Sequence, residues 1–134
     1  MTDEGALNQL RAAMPLAPLL GFEFLAAGPD EVRARVQWRE DLCTVGGVIH
    51  GGVVMALADS TGAACALLNL PDGATGTTTI ESKTNFLRGV RSGHIEAVST
   101  PLHAGRTTIV IETDVHDAAG ARVAKVIQTQ AVLR

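Results

Sequence analysis

Only one long helix is predicted in this sequence, and its apolar character limits where it can lie. The segment over about residues 51–69 is rich in alanine and aliphatic side chains, and Pro71 marks its end. Its most apolar part, Val53–Leu70, is interrupted by Asp59. A charge at that depth is costly in lipid, so the pattern predicts a helix buried in a globular protein rather than a membrane span.

β-rich segments flank this helix on both sides. Two of them precede it and four follow it: Phe22–Ala27, Val32–Trp38, Thr77–Arg88, His94–His103, Thr107–His116 and Arg122–Leu133. We expect the last four to pair as successive hairpins of an antiparallel sheet, whose inner face must be covered. The alanine-rich helix can provide that cover because small side chains allow close approach. The predicted class is therefore α+β, with a curved antiparallel sheet wrapped around one long central helix.

A short helix is predicted at the N-terminus, over residues 2–14. Thr2 can cap its first turn, and apolar residues recur at helical spacing before Pro15 ends the pattern. With 134 residues, of which 46% are apolar, the chain can bury one core but is too short for two. We therefore expect a single domain over residues 1–134.

The composition argues against several classes of partner. Aromatic residues are only 3% of the chain and the net charge is −3, so nucleic-acid binding by stacking and basic grooves is not expected. The acidic start at Asp3 and Glu4 has no apolar run behind it, which predicts no secretory signal. Cys43 and Cys65 have no zinc spacing and are too few for a disulfide scaffold. These features predict a cytoplasmic protein without a metal site or a membrane partner.

Packing of an apolar helix does not explain why a carboxylate, Asp59, lies in its middle. A carboxylate on a helix that is buried on nearly all sides must be hydrogen-bonded, protonated or used in chemistry, because its burial alone is costly. One interpretation is structural, with the carboxylate bonded to a Ser or Thr of a neighbouring strand or to an arginine at a subunit contact. The other interpretation is catalytic, and the residues alone leave both open.

The start of the predicted helix, His50-Gly51-Gly52, is the second candidate for chemistry. Glycines there let a ligand approach bare backbone N–H groups at the end of the helix that carries partial positive charge. An acyl carbonyl in that position would be polarised as in an oxyanion hole. The alternative is a loop-to-helix junction that needs glycine for steric reasons, with His50 as a packing or capping residue.

The spacing of these two candidates predicts an oligomer. Gly51 and Asp59 are eight residues apart, which is roughly 12 Å along a helix. One small reacting group cannot touch both residues of the same helix. If the two residues cooperate, antiparallel copies of the helix must bring Gly51 of one chain close to Asp59 of the other, and the active unit is a homodimer.

Arginine and lysine concentrate in the part of the chain that follows the helix. Arg88 and Arg91 flank one predicted turn, and Arg106 begins a later strand. In a chain of net negative charge, such local positive groups could bind phosphates. They could equally form a solvated sheet edge that discourages aggregation.

The segment from Gly46 to Asp59, with the sequence GGVIHGGVVMALAD, resembles hotdog-fold acyl-CoA thioesterases of the phenylacetate-pathway (PaaI-like) and 4-hydroxybenzoyl-CoA types. It matches that family's pattern G-x-x-H-G-G-x-x-x-x-L-x-D. Residues 81–93 and Gly105-Arg106 support the resemblance, which extends from about residue 20 to the C-terminus.

The resemblance implies hydrolysis of an acyl-CoA or aroyl-CoA thioester to the free acid and coenzyme A, with no cofactor. Asp59 would be the nucleophile or the general base on water, and the Gly51 N–H would polarise the thioester carbonyl. His50 would orient the loop or the leaving thiolate. Thr79 would help to position the carboxylate or the water, although its parity along the predicted strand is opposite to that of Phe86.

The family further implies binding and assembly features. Arg88, Arg91 and Arg106 would bind the phosphates of coenzyme A, and relatives build such sites across a dimer interface, often in a dimer of dimers. Many relatives have an asparagine six residues before the motif histidine, where this chain has Thr44. A hydroxyl is shorter than an amide. Either the water is held differently, or the rate or substrate range differs from that of those relatives.

Two other functions remain open on the same fold. A non-catalytic protein that binds or senses acyl-CoA would keep the arginines and the pocket but would not need Asp59. A hydratase or dehydratase would need an acid–base pair on the reacting carbons, whereas His50 and Asp59 are predicted on distant turns of the helix. Hydrolysis is therefore the leading prediction.

Overall fold

The computed structural model describes residues 2–134 and shows one six-stranded antiparallel sheet curved around a long helix. The helices are α1 (Glu4–Ala13), α2 (Leu16–Leu20) and α3 (Gly51–Leu67). The strands are β1 (Glu23–Ala27), β2 (Val32–Gln37), β3 (Gly76–Phe86), β4 (His94–Ala104), β5 (Thr108–Asp117) and β6 (Arg122–Leu133). Two short 3₁₀ turns, Glu40–Leu42 and Val45–Gly47, precede α3. The predicted α+β class is confirmed, and α3 occupies the place of the predicted central helix.

The strand order of the sheet, β1-β2-β4-β5-β6-β3, differs from the predicted succession of hairpins. Strands β4, β5 and β6 do follow one another as hairpins, but β3 pairs with β6 rather than with β4. The reason is that β4 already has β2 on one side and β5 on the other. β3 therefore lies at an edge of the sheet, with one side unpaired within the described part of the chain.

Aliphatic residues and alanine fill the core between the sheet and α3. The inward residues of β4 and β5 alternate as the strand pattern predicts, and Ile95, Ile109 and Ile111 have no exposed surface. On the helix, Leu57 and Ala58 are equally buried. Small side chains on α3 allow the sheet to wrap closely around it, which agrees with the scarcity of aromatic rings.

The N-terminal segment differs from its prediction in two details. Asp3 rather than Thr2 caps α1, since its Oδ1 accepts a hydrogen bond from the Ala6 N–H at 3.1 Å. A carboxylate suits this position because it faces the positive end of the helix. The chain then forms α2 immediately after Pro15, with Pro18 inside it. A proline in the first turn of a helix loses no intrahelical hydrogen bond, so the prolines interrupt the helical region without ending it.

Contrary to expectation, α3 is not buried on all sides within one chain. Gly52, Met55 and Asp59 are exposed and follow one another at helical spacing, and we call them the open stripe of α3. Met55 keeps 40% of its surface accessible. The helix also falls short of membrane dimensions, as does every other helix within residues 2–134: none is long and apolar enough to cross a bilayer.

Candidate functional site

The candidate residues fall into two groups at different levels of α3. The first group surrounds a groove of about 390 Å³ beside the start of the helix and includes Thr44, Gly51, Phe86 and Arg88. We call it the amide half-site. The second group surrounds Asp59 further along the helix, and we call it the carboxylate half-site.

The amide half-site is built on the capped N-terminus of α3. The His50 Nδ1 atom accepts a hydrogen bond from the Gly52 N–H at 2.8 Å, and the His50 carbonyl accepts from Val53 and Val54 at 2.9 and 3.3 Å. Accepting at Nδ1 requires the ring proton to be on Nε2. Of the first four N–H groups of the helix, that of Gly51 alone has no acceptor within residues 2–134. His50 is thus a helix cap, and the Gly51 N–H is free to bind a ligand.

Glycine at position 51 also makes room for a neighbouring ring. A Cβ atom built on Gly51 would lie 3.2 Å from Cζ of Phe86, which is closer than ordinary contact. Phe86 is the last residue of β3, so this contact places the start of α3 beside that end of the strand. Thr44 borders the same groove, and its own N–H is bonded to the Val48 carbonyl at 2.8 Å.

The carboxylate half-site consists of Asp59, Thr79, Gln128 and Gln130. The Gln128 Nε2 group donates to Oδ1 of Asp59 at 2.6 Å and contacts Oγ1 of Thr79 at 3.4 Å. The Gln130 Nε2 group donates to the same Thr79 oxygen at 2.7 Å. The side chain that bonds Asp59 within residues 2–134 is therefore a glutamine, not the Ser or Thr of a neighbouring strand considered from sequence.

Sequence reasoning missed Gln128 and Gln130. Both are almost fully buried, with 0% and 1% of their surface exposed. They share an inward-facing row of β6 with Val126, which is itself fully buried. Two amides in an otherwise apolar row were a detectable signal, because buried polar side chains require partners.

A β-bulge explains how Thr79 reaches this group despite its parity. The register between β3 and β6 shifts between Thr79 and Glu81, which leaves Ile80 as the extra residue. Thr79 is paired with Gln130, and Phe86 is paired with Ala124. Both partners are buried residues of β6, so Thr79 and Phe86 face the same side although they are seven positions apart.

The two half-sites do not meet within one chain. α3 is continuous from Gly51 to Leu67, so Gly51 and Asp59 are separated by roughly 12 Å along its axis. The structure therefore brings Thr79 to Asp59, and Thr44 and Arg88 to Gly51, but leaves the two groups apart.

The three candidate arginines are also divided. Arg88 and Arg91 lie in the connection before β4 and border one groove together. Arg106 lies in the turn after β4, whose 11 residues span roughly 30 Å. There the Arg106 carbonyl accepts a hydrogen bond from Arg134 at 2.9 Å. One chain therefore cannot use all three arginines on one phosphate group.

Neither cysteine belongs to these half-sites. Cys65 is fully buried on α3, and desolvation together with the charges of Asp30 and Glu31 raises its pKa to about 12. The thiol stays protonated at neutral pH and is a poor nucleophile. Cys43 donates to the Arg39 carbonyl at 3.3 Å.

Comparison with known proteins identifies the family of the chain. Residues 46–124 match the family described as the Thioesterase superfamily, and the chain belongs to this family. The matched region begins at Gly46 and includes both Gly51 and Asp59. Fold and family together define the class as hotdog-fold thioester hydrolases.

Solved structures of this class superpose closely on the chain. Thioesterase HI1161 from Haemophilus influenzae is 30% identical with a TM-score of 0.88, over 100% of this chain and 92% of that one. A mutant of thioesterase PA1618 from Pseudomonas aeruginosa is also 30% identical with a TM-score of 0.88, over 95% and 93%. A thioesterase family protein from Silicibacter pomeroyi, 22% identical, reaches a TM-score of 0.88 over 97% of both chains, which shows the shared fold.

Proposed function

We propose that the protein hydrolyses an acyl-CoA or aroyl-CoA thioester, using Asp59 of one protomer and the Gly51 N–H of its partner. The observation that carries the proposal is the division of the site. A carboxylate held by a buried amide and a free N–H at a helix start both lie on one helix, yet they are too far apart to act on one thioester group within a chain.

The proposed chemistry uses each half-site for one task. The Gly51 N–H donates to the thioester carbonyl oxygen and stabilises the negative charge that develops there, assisted by the positive end of α3. Asp59 either attacks the carbonyl carbon, forming an acyl anhydride that a water then hydrolyses, or takes a proton from a water that attacks directly. The carbon–sulfur bond breaks and coenzyme A leaves as its thiolate, which takes up a proton. The net reaction adds one water and yields the free acid and the thiol.

The unpaired edge of β3 supports a homodimer that would join the half-sites. Antiparallel pairing of β3 with its copy, centred near Glu81, would set the Phe86 end of one strand beside the Gly76 end of the other. Gly51 contacts Phe86, and Asp59 is linked to Thr79 near the opposite end of β3. Such pairing would bring Gly51 of one protomer towards Asp59 of its partner. It would also bury the open stripe.

Pairing of β3 with its copy would also bring the candidate arginines of the two protomers to the same end of the dimer. Arg88 and Arg91 follow the Phe86 end of β3. Arg106 lies near the beginning of β3, because the carbonyl of the next residue, Thr107, accepts a 2.9 Å hydrogen bond from the Val132 N–H, and Val132 is paired with Thr77 at that end. Arg88 and Arg91 of one protomer would then lie at the same end of the dimer as Arg106 of its partner. This arrangement supports a shared site for the phosphates of coenzyme A. A dimer of dimers remains part of the proposal.

Turnover of a panel of aryl-CoA and acyl-CoA esters, followed by release of free thiol, tests the function. Asp59→Asn keeps an oxygen that can accept from Gln128 but removes the charge, so we expect hydrolysis to fall about 100-fold or more. Asp30→Asn is the matched control, because Asp30 is an exposed carboxylate in the turn between β1 and β2, and it should hydrolyse normally.

Three outcomes would contradict the proposal in different ways. Undiminished hydrolysis by the Asp59→Asn protein would remove Asp59 from the mechanism. Binding of the esters without turnover would indicate an acyl-CoA binding or sensing protein. A change in enoyl-CoA absorbance without thiol release would indicate a hydratase or dehydratase.

A further inference from the structure

The Gln128 side chain crosses from the sheet to α3 inside the core. It starts on β6, is fully buried, and ends with its Nε2 group 2.6 Å from Oδ1 of Asp59. A carboxylate only accepts hydrogen bonds, so the amide must present Nε2 to Asp59 and turn Oε1 away. The orientation of this amide therefore follows from the chemistry of its partner.

The oxygen of this amide is left without a partner. Gln128 Oε1 is buried and has no hydrogen bond to any group of residues 2–134. Leaving a buried acceptor unpaired costs stability, and an apolar side chain of the same size would avoid that cost. The residue that carries this cost is the one that donates a hydrogen bond to Asp59, and we infer that this bond has a use beyond folding.

Gly62 provides the space that this side chain needs. A Cβ atom on Gly62 would lie 2.1 Å from Oε1 of Gln128 and 3.6 Å from Cγ2 of Ile111. Gly62 is in the interior of α3, where alanine would favour the helix more. The only severe obstacle to alanine within residues 2–134 is the Gln128 amide. Gly62 therefore leaves a gap on the surface of α3, and the Gln128 amide fills it; we call these two residues the Gly62–Gln128 device.

The device makes the two oxygens of Asp59 unequal. Oδ1 accepts a hydrogen bond from Gln128, while Oδ2 of this exposed residue accepts none from any group of residues 2–134. The same row of amides also acts on Thr79, whose Oγ1 receives Nε2 of Gln130 at 2.7 Å and Nε2 of Gln128 at 3.4 Å. A hydroxyl oxygen has two lone pairs, so with both amides donating to it the Thr79 hydroxyl can act only as a donor towards a third group.

We propose that Gln128, seated in the gap at Gly62, is a positioning residue that holds Oδ1 of Asp59 and directs Oδ2 towards the thioester. This inference rests on the proposed function, because it assumes that Asp59 reacts. It goes further by assigning the reacting oxygen, by giving Thr79 the role of a donor, and by assigning a functional reason to a glycine inside the central helix.

Two variants test the positioning role, one by changing Gln128 and the other by changing Gly62. Gln128→Met keeps the size of the side chain but removes the donor, and Gly62→Ala keeps the amide but displaces it from the gap. Both should lower kcat about 10-fold or more, the effect expected from losing a hydrogen bond to a charged group. KM for the same CoA ester should stay within about 2-fold, because neither residue borders the groove beside Gly51. Gln9→Met, on an exposed face of α1, is the matched control and should change neither parameter.

A double variant separates positioning from general damage to the core. In Gln128→Ala the amide is absent, so adding Gly62→Ala removes no further contact with Asp59 and fills part of the space. The double variant should have the kcat of Gln128→Ala alone and a higher melting temperature than that variant. Independent structural damage would instead multiply the two losses in kcat.

The outcomes distinguish this inference from the function on which it rests. If Asp59→Asn abolishes hydrolysis but Gln128→Met and Gly62→Ala keep wild-type kcat, the positioning role is wrong and the proposed function stands. The positioning role is also wrong if these variants raise KM and leave kcat unchanged. If Asp59→Asn itself hydrolyses normally, the assignment of Asp59 fails first.

Discussion

At the scale of single residues, the group that polarises the thioester in the proposed reaction is a backbone N–H, so only proline removes it. Gly51 is the first residue of α3, a position where proline fits the helix. Gly51→Pro should lower kcat/KM about 100-fold, the effect of losing one oxyanion donor. Gly51→Ala supplies the control, because it adds a Cβ against Phe86 but retains the N–H.

The comparison of these two variants isolates the hydrogen bond from the steric change. The Phe86 ring is 52% exposed and can move aside for the new Cβ in both proteins. Gly51→Ala should therefore keep most of the activity. Equal losses in the two variants would show that space at position 51 matters and that its N–H does not.

Sequence patterns could not predict which face of the sheet Thr79 occupies or which residue Gln128 contacts. Alternation along a strand assigns Thr79 and Phe86 to opposite faces, and only the bulge at Ile80 places them on the same one. Gln128 stands out in the sequence as a polar residue in an apolar row, but its partner 69 positions away does not. Pairing over such a distance depends on how the strands are ordered.

At the scale of elements, the open stripe of α3 is where a second copy is expected to pack. Met55 lies on it with 40% of its surface exposed, so a charge there is compatible with a folded single chain. Met55→Glu should shift the protein from dimer to monomer in analytical ultracentrifugation, since a carboxylate buried at an interface is strongly unfavourable. Hydrolysis should fall in parallel with the dimer.

A matched control for this change lies on α2. Leu19 is 72% exposed and belongs to a different helix from the open stripe. Leu19→Glu should leave the sedimentation and the activity unchanged. A Met55→Glu protein that stays dimeric and fully active would exclude the open stripe from the interface.

The elements themselves were predicted more accurately than their order. β4 was expected at His94–His103 and is observed at His94–Ala104, and α3 ends within two residues of its predicted limit. These boundaries depend on glycines, prolines and hydrophobic periodicity, which are local properties. Local properties could not predict that β3 pairs with β6. That pairing arises because β2 occupies the side of β4 that β3 would otherwise take.

At the scale of the whole molecule, the proposal predicts that two inactive variants restore activity when they share a dimer. In a mixed dimer of Asp59→Asn and Gly51→Pro, one of the two sites combines the intact Gly51 of one protomer with the intact Asp59 of the other. Random exchange at equal concentrations should therefore give roughly a quarter of wild-type activity, because half of the dimers are mixed and each has one working site.

The same experiment has a clear negative result. If each chain held a complete site, every site in the mixture would lack either the carboxylate or the N–H, and no activity would return after subunit exchange. Mixing Asp59→Asn with itself under the same exchange conditions controls for refolding. Exchange itself is verified by mass spectrometry of differently tagged protomers.

Local patterns in this chain were sufficient for the α+β class, for the bounds of the central helix, and for the HGG-to-Asp59 motif that leads to the thioesterase family. They could do so because helix periodicity, strand alternation and turn residues act over a few positions. The strand order, the bulge that turns Thr79 inward, the exposure of Asp59 and the passage of Gln128 past Gly62 were decided only by the tertiary structure. Each of these depends on contacts between segments that are distant in sequence, and their energies are set by packing rather than by local propensity.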